Sequence, residues 1–132
     1  MKEISEQWLK AAQDDLHVIN KIISDEHLTH IVAFHSQQCI EKSFKAVIEE
    51  FEAGSFKIHN LDRLFEIIRY YVELDVNMIL IEQLDKLYTD ARYPGELGLL
   101  PDGKPGLQDA KKFYDFAKYV YETIKTKLEE RD

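Results

Sequence analysis

The chain has one cysteine, three prolines and five glycines in 132 residues. Cys39 has no partner within the chain, which excludes an internal disulfide and suits a reducing, cytoplasmic setting. Proline and glycine are also confined. All three Pro and four of the five Gly fall in residues 94–106, PGELGLLPDGKPG. The remainder is almost free of the residues that break helices. No run of about eighteen apolar residues occurs, which excludes a membrane-spanning helix. The opening MKEISEQWLK lacks the apolar core of a secretory signal, so none is expected. Positive charge is scarce as well: 17 Lys and Arg stand against 25 Asp and Glu, for a net charge of −8. Binding to nucleic acid of any sequence rests on phosphate neutralisation by Lys and Arg. As a whole this chain repels a polyanion, so RNA or nucleotide contact needs a local patch or a basic partner. Metal and cofactor signatures are missing. His27, His30 and His35 have no Cys or carboxylate at a recognised ligand spacing, and no P-loop, G-x-G-x-x-G or H-E-x-x-H is present. Neither a metal nor a cofactor is expected.

What the chain does have is helical periodicity over one domain, residues 1–132. Apolar residues make up 45%, enough for a globular core. Residues 5–24 carry Leu9, Ala12, Leu16, Ile19 and Ile23 on one face of a 3.6-residue period, widened by Trp8, Ala11, Val18 and Ile22. A second helix over about 28–53 carries Ala33, Ile40, Phe44, Val47 and Phe51, with Gly54 as its stop. Asn60 is placed to cap a short third helix that turns Leu61, Leu64, Phe65 and Ile68 inward. Asp75 is placed to cap a fourth with Ile79, Leu80, Leu84, Leu87 and Ala91 inward. The Gly/Pro segment 94–106 reads as a loop long enough to be a functional flap. A last helix over 107–129 turns in Ala110, Phe113, Ala117, Val120, Tyr121, Ile124 and Leu128. No strand alternation is present. The expected fold is all-α: a five-helix, up-and-down-type bundle with two long antiparallel helices, short helices and a long C-terminal helix.

Several polar residues interrupt this pattern. Asp15 stands in line with Trp8, Ala11, Val18 and Ile22. A carboxylate on an apolar face costs several kcal/mol unless it is paired or protonated. It is either the floor of a cleft or a structural partner for a Lys, Arg, Tyr or His on another helix, and Arg92 is the candidate. On the second helix, His35, Gln38, Lys42 and Lys45 follow one another at i, i+3, i+7 and i+10. That stripe either lines a groove in which Lys42 and Lys45 meet a phosphate, or is a solvated face with a Glu41–Lys45 ion pair. Gln37 and Gln38 suit hydrogen bonds between helices. Cys39 shares a ridge of small residues with Ser36, Ser43 and Ala46, which predicts a buried thiol. His59 precedes the third helix and can bind phosphate when protonated or hold a backbone group. Arg92 and Tyr93 end the fourth helix, with Pro94 restricting Tyr93 to extended backbone. An Arg offers a donor fork for phosphate or carboxylate, and a Tyr can stack on a base.

Taken in order, FHSQQCIEKSFKA (34–46), KIHNL (57–61) and YTDARYP (88–94) resemble the HEPN family of small helical domains. The family pattern is a helix with a Trp and acidic residues, then an H-x-Q-Q-x-x-E-K-x-x-K-A helix. A K-x-H-x-L step, an R-Y-P step and a long last helix follow. The resemblance covers nearly the whole chain and implies a link to nucleotide or RNA chemistry. It implies a ligand groove of Lys42, Lys45, His59, Arg92 and Tyr93, with Asp15, Gln37, Gln38 and Glu41 as structural polar residues. It also implies a homodimer, to which the 14 Phe and Tyr residues would contribute apolar surface.

One family feature is absent. HEPN proteins that cleave RNA carry an Arg followed, after four to six residues, by a His. Here all five His (17, 27, 30, 35, 59) precede all four Arg (63, 69, 92, 131). No catalytic residue is therefore assigned. The resemblance then implies a non-catalytic accessory protein, toxin–antitoxin-like, working with a minimal nucleotidyltransferase. The alternatives are a ribonuclease with a departed motif such as His59 with Arg92, and a helical interaction module without ligand.

Overall fold

The computed structural model describes residues 1–55, 57–92 and 103–131, with backbone alone at 90–92. These form five helices: α1 (Glu3–Ile22), α2 (Thr29–Glu50), α3 (Leu61–Ile68), α4 (Met78–Arg92) and α5 (Leu107–Glu130). No strand occurs among the described residues. α2 is the centre of the bundle and packs on all four others. Contacts fix the directions. Lys2 meets Glu50, and Asp15 meets both His35 and Lys42, so α1 runs antiparallel to α2. Cys39 faces Ala117 and Glu50 faces Arg131, so α5 runs parallel to α2.

The apolar stripes form the core. Ile19, Ala33, Ile40, Phe44, Val47, Leu64, Ile68, Leu84, Ala117, Val120, Ile124 and Leu128 are all essentially inaccessible to water. Each large side chain buried here contributes about 1.5–3 kcal/mol. Cys39 is buried as expected, and burial pushes its thiol pKa well above the usual range. Two apolar positions differ from expectation. Val18 is 40% exposed and Ile79 68% exposed, while Ile81 is fully buried. Val18 lies beyond the edge of the stripe that α2 and α5 cover. On α4 Leu84 is buried and Leu80 and Leu87 half-buried as expected, Ile81 takes the inward place expected of Ile79, and the Ala91 side chain lies outside the described residues.

Helix ends also depart from the sequence reading. α2 stops at Glu50, not near 53. Glu52 adopts a left-handed backbone (φ 51°). Ala53 N–H then bonds back to Ile48 O (2.9 Å) and Glu52 N–H to Glu49 O (3.3 Å). This is a Schellman closure with a glutamate at the position glycine usually takes. Gly54 lies two residues later. Asn60 caps α3 as expected, accepting from Arg63 N–H. α4 is capped by Asn77, not Asp75. Its Oδ1 accepts from Ile79 N–H (3.0 Å) and Leu80 N–H (3.2 Å), the two amides a cap must satisfy. Asp75 is two residues too early to reach them.

Candidate functional site

The polar stripe of α2 meets α1 on one side and the 57–60 segment on the other. Asp15, on α1, is buried. Its Oδ1 accepts from His35 Nδ1 and its Oδ2 from Lys42 Nζ, each at 2.8 Å. The antiparallel packing brings both donors to it, because His35 and Lys42 are two turns apart on one face. Charge-assisted hydrogen bonds on both oxygens are what make a carboxylate tolerable at this depth.

Glu41, one stripe over, repeats the arrangement. Its Oε2 accepts from His59 Nδ1 at 3.1 Å and lies 3.8 Å from Lys45 Nζ. Its Oε1 accepts from Gln37 Nε2 at 3.3 Å. Gln37 also donates to His59 O (2.9 Å), which pins the segment ahead of α3 onto α2. Gln38 Nε2 donates to Gln37 Oε1 (2.7 Å). Lys45 Nζ sits over the Trp8 ring, 5.6 Å from its centre. Two carboxylates thus each hold one histidine and one lysine.

A carboxylate only accepts, so each Nδ1 carries the proton and each Nε2 is turned away from its carboxylate. His59 is the more open of the two, with its side chain 51% exposed against 24% for His35. Between the rings lies an aromatic pair. Phe34 and Tyr88 stack at 5.7 Å between centres and 20° between planes. His35 meets Phe34 edge-on at 5.3 Å, and His59 lies 6.5 Å from Tyr88.

The structure gathers the expected polar residues into two hydrogen-bonded clusters, Asp15 with His35 and Lys42, and Glu41 with Gln37, Gln38, Lys45 and His59. The ring contacts from His35 through Phe34 and Tyr88 to His59 join the two into one polar face. The Arg92 side chain, Tyr93 and most of the expected flap lie outside the described residues. Lys42 and Lys45 are not bare cations: each already has a carboxylate, so a phosphate here competes with Asp15 and Glu41. Sequence reasoning did not single out Phe34, Tyr88 or Asp85. Asp85, on α4, accepts from the first amides of α3, Leu61 N–H (2.8 Å) and Asp62 N–H (3.3 Å). Burial raises its pKa, and those two amides oppose the shift. Nothing local in the sequence marks that contact, since it joins elements 24 residues apart. Tyr88 did carry a signal: it lies one helical turn before Arg92, on the same face.

Among the described residues no three His, Cys, Asp or Glu side chains converge to hold a metal. No helix among the described residues is long and apolar enough to cross a membrane.

A family model for the HEPN domain matches residues 5–128. The chain belongs to the HEPN family. The network above is thus the spatial form of the H-x-Q-Q-x-x-E-K-x-x-K and K-x-H segments in this member. The chain is also similar to a protein of Methanocaldococcus jannaschii named "Putative toxin MJ1304". The two are 31% identical over 136 residues, covering 94% of this chain and 88% of that one. No solved structure matches the chain.

Proposed function

We propose that this HEPN protein is the accessory half of a toxin–antitoxin-like pair. It contacts nucleotide or RNA through the α2 polar face, works with a minimal nucleotidyltransferase, and does not itself cleave RNA. The observation that carries the reading is double. The order of His and Arg leaves no Arg-x4–6-His, yet the polar face survives as two carboxylates that each orient a histidine. The face sets two lysines and two imidazole N–H donors beside its two carboxylates. That provides a local anion site on an acidic chain. The relative named as a toxin supports a protein partner. The face would also include Arg92 and Tyr93, presented by the R-Y-P step. We assign the working state as a cytoplasmic homodimer.

A second reading, a helical interaction module without ligand, is favoured by one fact: both oxygens of Asp15 are already engaged within the chain. A ribonuclease built on His59 is favoured by another, the carboxylate behind an exposed imidazole.

The test is to tag the chain at its native locus, purify it, and assay what copurifies. A stoichiometric partner that transfers nucleotides is the expected result. A partner without that activity, or none, overturns the pairing. Light scattering at micromolar concentration should give twice 15.5 kDa, and a monomeric mass would remove the homodimer.

A further inference from the structure

Away from the polar network, sharing no residue with it, an open groove of about 970 Å³ runs between the start of α4 and the first half of α5. Leu80 and Phe116 line it, and Ile79 and Tyr119 stand on it 68% and 42% exposed. Among the described residues its charge is one-sided: Asp75, Asp109 and Asp115 border it, against Lys112.

We propose that this groove docks a basic amphipathic helix of another protein. A small ligand is a poor fit, because small-molecule sites enclose most of the ligand surface and this groove is open along its length. Nucleic acid is repelled by the three aspartates. A second copy meeting this face across a two-fold axis would set Asp109 and Asp115 against their own equivalents. A helix with apolar residues at i, i+3 or i+4, and i+7 fills the apolar floor, and Lys or Arg on its flanks answers the acidic rim. Ile79 and Tyr119 are then the apolar anchors, and the aspartates set approach rate and salt dependence. The inference does not depend on the nucleotide reading.

The test uses the full chain and a labelled helical peptide of about 18 residues, with Leu on one stripe and Lys elsewhere. A counter-peptide carries Glu for Lys. Fluorescence anisotropy should show binding of the Lys peptide and none of the Glu peptide at the same concentrations. Asp75→Lys with Asp115→Lys should weaken the Lys peptide by about tenfold or more and admit the Glu peptide. Ile79→Ser and Tyr119→Ser should each weaken it severalfold. All four positions are exposed, and circular dichroism melts confirm that each variant folds. Glu122→Lys with Glu130→Lys makes the same change in net charge outside the groove, on exposed positions, and should leave affinity within about twofold. An equal loss in that control would reduce the effect to bulk attraction and overturn the site, as would no binding by either peptide. A fall in mass by light scattering with Ile79→Ser would make a second copy the occupant and overturn the basic partner.

Discussion

Asp15 shows how much a single side chain decides. Its environment demands a counter-charge, and α2 supplies two donors at 2.8 Å. Asp15→Asn strands Lys42 in a half-buried setting, and Lys42→Met leaves Asp15 with His35 alone. Each should cost about 2–3 kcal/mol in urea unfolding. The double mutant should lose well under the sum, and strict additivity would show that the pair is not coupled. The sequence exposed the need and the kinds of partner, Lys and His among them, but the single residue it named was Arg92, whose side chain lies outside the described residues. Arg92 was the candidate because Tyr93 and Pro94 fix its backbone, whereas the decisive fact is the antiparallel pairing of α1 and α2. His30 makes a separate statement. Burial lowers its pKa, with Lys104 adding to the effect, and its Nδ1 is buried without a partner. The folded state therefore binds fewer protons there than the unfolded state. Stability from this group is present above the ordinary histidine value of 6.5 and is lost as pH falls through that value towards the lower folded one. The wild type should lose more stability than His30→Gln between pH 7.5 and pH 5.5, and parallel losses would place the titration elsewhere.

At the scale of the element, interior residues were legible and ends were not. All seven inward positions expected on the last helix are buried, because a 3.6-residue stripe over 24 residues leaves no other register. The short α4 stripe did mislead, putting Ile79 inside when Ile81 is. Ends depend on one or two backbone amides, and a residue of the right type two positions away looks the same in sequence. Asn77→Ala should therefore cost about 1 kcal/mol, while Asp75→Ala stays within about 0.5 kcal/mol. The reverse ranking would return the cap to Asp75. Glu52 holds a left-handed backbone that disfavours a side chain by about 1–2 kcal/mol. Part of the gain from glycine is lost to the greater freedom of the unfolded chain, and the exposed Lys2–Glu52 pair, at 3.3 Å, contributes little. Glu52→Gly should thus raise stability by about 0.5–1 kcal/mol, and a loss would mean that the glutamate does more than close the helix.

For the whole molecule, fold and family could be read from residue order, because periodicity and spacing are one-dimensional properties. The site was readable in part. Residues at helical spacing on α2, and His59 beside them, do converge. The Glu41–Lys45 pair is local, i to i+4, and was among the sequence readings. The Lys42–Asp15 pair, the Phe34–Tyr88 stack and the Asp85 contact all require the chain to be folded back on itself. Every lysine of the face thus has a carboxylate pairing. That pairing also sets the scale of ligand binding. With each lysine shared, contact with RNA should be weak, and with only two lysines its salt dependence shallow. The most direct measurement is a titration of end-labelled single-stranded RNA with the purified chain, each sample run on a native gel and then on a denaturing gel. The account predicts a shifted band at low salt, recovered at full length, that is lost in Lys45→Ala with His59→Ala. No shift would contradict the polar face as an RNA contact. Shortened RNA that disappears with His59→Ala would contradict the non-cleaving assignment and make the protein a ribonuclease.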